Sequence, residues 1–262
     1  MTRSVPKRQD PLIGKLDLID QDQTEPLMND LASIKAPITV AFMNQHAYNL
    51  AQQDPVVHRH FSQMSYLLRD GIGIKLACQV NGRAPRANMN GSDFIPKLID
   101  HLVDHDNGQY KYLVLGTREP WLSKGARRLF HGKPFEALDG FQPVQAYIDF
   151  VRQHCADGRI PVVVLAMGMP KQEEVALQIK RELDCPALLI CGGAIIDFSA
   201  ERFARAPLFV RKMGLEWLYR LGKEPRRLFR RYVIGIPQFF YYVARNSRAV
   251  DSRQNTHRVL DQ

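Results

Sequence analysis

The 262-residue sequence predicts an α/β fold: a Rossmann-like, mostly parallel sheet with helices on both faces, followed by a helical, membrane-docking C-terminal appendage. Three observations carry this reading. Short runs of Val, Ile and Leu recur between longer amphipathic stretches, as strands buried on both faces do. Each run ends in glycine or a polar cluster, the usual position of ligand loops in an open parallel sheet. The charge is also lopsided. Residues 1–200 carry 22 basic and 22 acidic side chains, whereas residues 201–262 carry 14 and 5 and so hold the entire net charge of +9. That last quarter also contains 10 of the 24 aromatic residues. A neutral body and a basic, aromatic tail point to two parts with different partners.

The elements follow in order. Residues 1–30 read as a polar, loosely ordered lead-in, 31–200 as the α/β domain and 201–262 as the appendage. Ile38–Phe42 reads as a strand, with a helix from about Gln45 to Gln53. Phe61–Leu68 leads into Asp70-Gly71-Ile72-Gly73, and Ile74–Val80 then reads as helical. Phe94–Val103 has apolar residues at i, i+4 and i+5, again a helix. Tyr110–Leu115 is a strand closed by Gly116, with helices over about Pro120–Phe130 and Val144–Cys155 after it. Pro161–Met167 is a strand ending at Gly168, and Pro170 is placed to open the helix Lys171–Leu183. Pro186–Ile190 is the last strand, ending at Gly192-Gly193.

Composition narrows the function classes. At 45% hydrophobic and 24% charged residues the chain is an ordinary soluble one. Cys78, Cys155, Cys185 and Cys191 have no metal-ligand spacing and read as reduced, mostly buried thiols of a cytosolic protein. The N-terminal 25 residues contain no apolar core, so no signal peptide is expected. The longest nearly apolar run, Val233–Ala244, is far short of the roughly 20 residues of a membrane span, leaving a peripheral membrane role. A neutral body and the lack of a recognised module argue against nucleic acid as a partner. No GxGxxG follows the first strand, and there is no GxSxG or Walker sequence.

Several strings carry candidate chemistry. Asp70, beside two glycines, reads either as a base that removes a proton from an acceptor hydroxyl or as a helix N-cap. In Asn88-Met-Asn90-Gly91-Ser92-Asp93, either Ser92 or Asp93 caps the next helix, or the loop amides and the Asn90 side chain bind sugar hydroxyls or phosphate. Gly168-Met-Pro170-Lys171-Gln172-Glu173 places a cation and an amide in the first turn of a helix, where an anion is favoured. Asp104-His105-Asp106 resembles a metal-holding DxD but sits beside a turn signal, Asn107-Gly108, and reads as a solvated turn. His58-Arg59-His60 reads as a surface helix. In the tail, Leu228, Tyr232, Ile236 and Phe239/Phe240 form an apolar stripe flanked by Arg226, Arg227, Arg230 and Arg231. Such a segment suits an anionic lipid surface or a lipid diphosphate; the alternative is a basic face packed on the body. Gly235 and Pro237 are expected to kink or interrupt its helix.

Taken in order, DGIGI (70–74), NGSD (90–93), YLVLG (112–116), GMPKQE (168–173), GGAIIDF (192–198), RAP (205–207) and LEWLYRL…EPRRLFRRY (215–232) resemble the WecG/TagA/CpsF glycosyltransferase family. The resemblance implies an inverting, metal-independent transferase with no cofactor. It would move a sugar from a UDP-sugar donor to a polyprenyl-diphosphate-linked sugar acceptor at the cytoplasmic membrane face, and homo-oligomerisation stays open. It implies Asp70 as base and Gln172 as a second catalytic position. Asn44, Asn88, Asn90, Gly91 and Asp93 would bind substrate, as would the loop residues Gly116, Gly140, Phe141, Gly168, Lys171, Gly193 and Asp197. Arg205, Arg220, Arg226, Arg227, Arg230 and Arg231 would meet the lipid diphosphate and the membrane.

Two positions depart from the family pattern. Members that use N-acetylmannosamine donors commonly have Thr-x-Asn after the first strand, where this chain has Phe42-Met43-Asn44, and an arginine where it has Asn88. The Asn-Gly-Ser-Asp string is closer to the branch with the xanthan-type β-1,4-glucosyltransferase. UDP-glucose is therefore the favoured donor, with UDP-N-acetylmannosamine its close rival.

Overall fold

A computed structural model describes residues 10–248 except 156, 204, 208, 211, 212 and 214; the side chains of Arg227 and Arg248 also lie outside the described set. Helices α1 (Pro11–Lys15) and α2 (Thr24–Ala32) lead into β1 (Ile38–Met43), α3 (Gln45–Gln53), α4 (Pro55–Gln63), β2 (Tyr66–Arg69) and α5 (Gly71–Val80). Then come α6 (Gly91–Asp104), β3 (Tyr110–Gly116), α7 (Trp121–Leu129), β4 (Phe135–Leu138) and α8 (Val144–Gln153). The domain ends with β5 (Ile160–Ala166), α9 (Lys171–Glu182), β6 (Leu188–Cys191) and α10 (Ile195–Ser199). The appendage contributes α11 (Glu216–Lys223), α12 (Pro225–Phe229), a π-helical turn over Arg230–Ile234, and α13 (Gly235–Arg248).

The six strands form one parallel sheet in the order β2-β1-β6-β5-β3-β4. Alternate residues of each strand point to opposite faces, and both faces are covered. Ala41, Met43, Leu113, Leu115, Val163 and Leu165 enter one core, with Leu12, Tyr48, Phe61 and Val175 from the helices. Val40, Phe42, Tyr112, Val114, Val162 and Val164 enter the other, with Ile95, Leu98, Ala126 and Ile196. This double burial is why the strands read as unbroken apolar runs.

Four points differ from the sequence expectation. Residues 10–32 are not loosely ordered: Asp10 caps α1 by accepting from Leu12 and Ile13, and both of these side chains are fully buried. Second, β2 and β4 went unread. Each is a four-residue edge strand, and β2 follows a helix whose apolar spacing runs on into it.

Third, Cys155 and Cys185 are paired side by side, which their spacing in sequence did not suggest; Cys78 and Cys191 are free and buried. The pair is 30 residues apart in sequence and meets only because β5 and α9 run up and back between them. Fourth, the interruption of the tail helix lies just before Gly235, over Arg230–Ile234, and not at Pro237, which sits inside a continuous helix. The tail passes through this π-helical turn and continues to Arg248. Two α3 side chains reach the backbone there: Gln45 Nε2 donates to the Arg231 carbonyl (3.3 Å) and Asn49 Nδ2 to that of Gly235 (2.7 Å). A Cβ on Gly235 would lie 2.8 Å from Gln45 Nε2, so glycine is what admits this approach.

The tail stripe faces inward. Leu228, Tyr232, Phe239 and Val243 are buried, and Phe239 stacks edge-on against Tyr48 of α3 with ring centroids 5.3 Å apart. Among the described residues, the large apolar side chains that the tail leaves in water are Phe209, Met213, Leu218, Phe229, Val233, Ile234, Phe240 and Tyr241. Asn246 closes the packing by donating to Asp10 Oδ2 (2.7 Å), the Tyr48 hydroxyl (2.9 Å) and Gln52 Oε1 (3.0 Å).

Candidate functional site

Because the sheet is parallel, the carboxyl ends of all six strands lie along one edge. Asn44 and Asp70 follow directly on β1 and β2, Gly116 is the last residue of β3, and Gly140, Gly168 and Gly193 lie two residues past β4, β5 and β6, so all six are gathered there.

Asp70 occupies the N-cap position of α5, yet its carboxylate makes no capping hydrogen bond. The bland reading of this residue is therefore not realised. Its Oδ2 accepts instead from Asn44 Nδ2 at 3.4 Å, while Asn44 Oδ1 caps α3 through the His46 and Ala47 amides, both at 3.0 Å. Burial raises the Asp70 pKa above the usual carboxylate range; the Asn44 hydrogen bond and Arg231 pull it back, Glu216 pushes it further up and Arg69 pulls it down. Two of those charges, Glu216 and Arg231, belong to the appendage, so the tail reaches the domain beside Asp70. His46, in the first turn of α3, is lowered to about 4 by burial and by Arg231 and stays neutral.

The loop beneath is held by Arg69, a buried arginine that sequence reasoning passed over. Its guanidinium donates to the carbonyls of Ala87 (3.1 Å), Gly71 (3.0 Å) and Arg86 (3.2 Å). Asn88 Oδ1 accepts from the Gly71 amide at 2.8 Å, which ties this loop to the residue after Asp70. Asn90 caps α6 by accepting from the Asp93 amide (3.0 Å), and its Nδ2 donates to Asp93 Oδ2 (2.8 Å). Gly91 sits over the Phe42 ring, where a Cβ would approach to 3.2 Å. Arg205 reaches back from the appendage to the same helix end, donating to Asp93 Oδ1 (2.8 Å) and the Ser92 carbonyl (3.1 Å).

At the other side of the edge, glycines are required by backbone approach. Gly116 has φ +151°, and a Cβ on it would lie 2.2 Å from the Ala166 carbonyl oxygen; one on Gly140 would lie 3.1 Å from the Gly116 Cα. Lys171 is committed to this packing. Its Nζ donates to the carbonyls of Gly140 and Gln142, each at 3.0 Å, and to the Tyr147 hydroxyl at 3.3 Å. It therefore holds the 140–142 loop, the reverse of the open cation the sequence suggested. Phe141, at the tip, is exposed.

Gln172 is fully buried. Its Oε1 accepts from the Gly193 amide (2.9 Å) and its Nε2 donates to Glu173 Oε1 (2.7 Å), so it links the start of α9 to the turn after β6. It positions backbone and has no exposed face for substrate. Glu173, equally buried, carries an Oε2 with no hydrogen-bond partner among the described residues. Burial lifts its pKa from 4.5 to about 7, against the Gln172 hydrogen bond. Between those values the unfolded chain releases the proton that the folded chain keeps. Stability is thus full below about pH 4.5 and falls as pH rises towards 7, by about 3 kcal/mol. Glu173→Gln should remove that slope. Urea unfolding at pH 4 and pH 8 should show the wild type losing about 3 kcal/mol more than the variant, and parallel losses would count against a buried proton at Glu173.

Asp197, in the first turn of α10, accepts from Thr117 Oγ1 (3.1 Å) and Arg202 Nη1 (3.0 Å). Thr117 and Arg202 were not foreseen; neither sits in a recognisable string, and the positive φ of Thr117 (+32°) is invisible in sequence. Arg202 also lies over the rings of Trp121 (5.8 Å) and Phe203 (5.2 Å).

The arginines of the tail do not act as one cluster. Arg220 lies over the Phe198 ring at 5.4 Å, Arg231 is part-buried and near Asp70 and His46, and Arg226 and Arg230 are exposed. The Arg227 side chain lies outside the described residues. Asp106 of the DxD-like string accepts from the Gly108 amide (2.9 Å) and the Tyr112 hydroxyl (3.3 Å) and pairs with Lys133 (3.3 Å); the string is at a turn, but this side chain is only 6% exposed, so it is not solvated as expected.

Comparison with known proteins places these features in context. The profile of the glycosyl transferase WecG/TagA/CpsF family matches residues 12–253. A relative from Bacillus spizizenii, an N-acetylglucosaminyldiphosphoundecaprenol N-acetyl-beta-D-mannosaminyltransferase, is 26% identical over 215 residues, covering 81% of this chain and 80% of its own. With a parallel sheet whose loops converge at one edge, and a family match over nearly the whole chain, the protein belongs to the glycosyl transferase WecG/TagA/CpsF family.

Proposed function

We propose that this glycosyltransferase moves a hexose from a UDP-sugar to a sugar carried on a polyprenyl diphosphate, with inversion, in bacterial cell-envelope or exopolysaccharide synthesis. The observation that carries the reading is Asp70. It is a carboxylate at a strand's carboxyl end, excluded from the capping role its position invites, raised by burial and steadied by Asn44. A carboxylate made more basic by burial suits proton abstraction. In this mechanism the acceptor hydroxyl oxygen attacks the anomeric carbon and passes its proton to Asp70. The bond from that carbon to the diphosphate oxygen breaks, and the electron pair leaves with UDP. An α-linked donor then yields a β-linkage. Positive charge near the cleft, Arg231 foremost, would stabilise the departing diphosphate.

UDP-glucose is the favoured donor. Phe42 packs edge-on against Phe94, with ring centroids 6.2 Å apart, and offers no hydroxyl beside Asn44; Asn88 brings no charge. The rival, UDP-N-acetylmannosamine, is favoured by the name of the Bacillus relative. UDP release measured on a panel of UDP-sugars with polyprenyl-diphosphate-sugar acceptors decides between them. Turnover with UDP-N-acetylmannosamine and none with UDP-glucose would reverse the donor assignment. No turnover with any UDP-sugar would remove the transferase reading of this chain in favour of a non-catalytic docking protein of the same fold.

No described helix is long and apolar enough to cross a membrane. A lipid-linked acceptor therefore implies docking at the inner face of the cytoplasmic membrane, with exposed Arg226 and Arg230 and the exposed aromatics of the tail meeting anionic lipid.

A further inference from the structure

Helix α5 begins one residue after Asp70 and buries Ile74, Ala77 and Cys78 in the core. Its opposite face carries Ile72, Leu76 and Val80, which are 48%, 38% and 48% exposed. Steps of four residues put these three side chains on one stripe. Lys75 and Gln79 are exposed beside them, and the helix contains no acidic residue. Single apolar side chains in water need no explanation, but an aligned row of three on a well-packed helix marks an interaction surface.

The tail packs on the same helix. Phe239 of α13 packs over Gly73, where a Cβ would lie 3.5 Å from its ring, and its neighbour Phe240 is exposed with ring centroids 5.5 Å away. The appendage that packs on α5 also exposes Arg226 and Arg230. An apolar row with Lys75 on its own helix and no carboxylate among that helix's residues is complementary to anionic lipid.

We propose that the outer face of α5, through Ile72, Leu76 and Val80, seats on an anionic membrane surface as a docking element in its own right, distinct from the arginine-bearing tail. The inference rests on the reading of a lipid-linked acceptor given above. It places the membrane at the helix that starts beside Asp70, so an acceptor anchored in the leaflet presents its sugar hydroxyl to that carboxylate.

The test uses the full chain and vesicles of phosphatidylcholine with or without phosphatidylglycerol, read by co-sedimentation. Leu76→Gln/Val80→Gln changes side chains that are 38% and 48% exposed, so the urea midpoint should move by far less than for a core substitution. Its partition onto phosphatidylglycerol vesicles should weaken by about tenfold or more. Arg226→Gln/Arg230→Gln should weaken binding as well, with a loss that salt mimics in the wild type. If the α5 variant binds like the wild type while the arginine variant does not, the tail alone docks and the α5 proposal is wrong. A variant that loses a dimer in light scattering yet keeps vesicle binding would assign the face to a second copy, which also defeats it. A wild type that binds no vesicle at all would instead undo the membrane reading on which the proposal rests.

Discussion

Asp70→Asn is expected to lower turnover on a lipid-linked acceptor by roughly 10²–10⁴-fold, the usual contribution of a positioned general base. The substitution keeps shape. The amide oxygen can still accept from Asn44 Nδ2, and the backbone of Asp70 keeps its bond to the Met43 carbonyl at 2.9 Å. Only the capacity to take a proton is lost. UDP affinity measured by calorimetry should therefore stay within a few-fold of the wild type. The raised pKa adds a second signature: Asp70 acts as base only when ionised, so activity should fall as pH drops through that raised value, above the range of an ordinary aspartate. Turnover in the variant within a few-fold of wild type would remove Asp70 as the base.

Phe239→Ala should destabilise the whole domain by about 3–5 kcal/mol, the cost of emptying a large aromatic site in a core. Phe239 lies in the same core as Ala41, Val163 and Val175, stacks on Tyr48 and covers Gly73. The tail helix is thus part of the body's packing. This bears on a simpler experiment. Removing residues after about 200 should reduce both activity and membrane association, but it would also strip the cover from Tyr48 and Asn49, whose side chains meet the tail. Urea unfolding of the point variant separates the two effects. A shift well under 1 kcal/mol would mean that α13 is only lightly held.

Much of the domain was legible because double burial writes itself into sequence. The runs at 38–42, 110–115, 161–167 and 186–190 are apolar but for Thr39 and Lys111, and four of the six strands follow from them. The edge strands β2 and β4 escaped for the opposite reason: four residues are too few to establish a period, and β4 is only partly buried. The candidate site was legible as a set of strand-end loops, since parallel strands must bring their carboxyl ends to one edge. Which member does what was not legible. Asp70 looks like a cap and does not cap, being left to Asn44, whereas α6 is capped by Asn90 and not by Ser92 or Asp93. Lys171 looked like an open cation and Gln172 like a group facing substrate, yet one is spent on the carbonyls of 140 and 142 and the other is buried against Gly193. Partners at separations of 20 to 30 residues leave no local mark.

The lopsided charge shows the same division. Composition alone established that residues 201–262 are basic, aromatic and unlike the neutral body. The tail's apolar stripe also followed from periodicity, because a helix must align residues three and four apart. Its direction did not follow. A stripe suited to lipid and one suited to a core are the same pattern, and it is the presence of Tyr48 and Asn49 on α3 that turns Phe239 inward. Inward packing of that stripe leaves Phe240 and the aliphatic row of α5 as the apolar surface beside Asp70, a juxtaposition that exists only once the chain has folded.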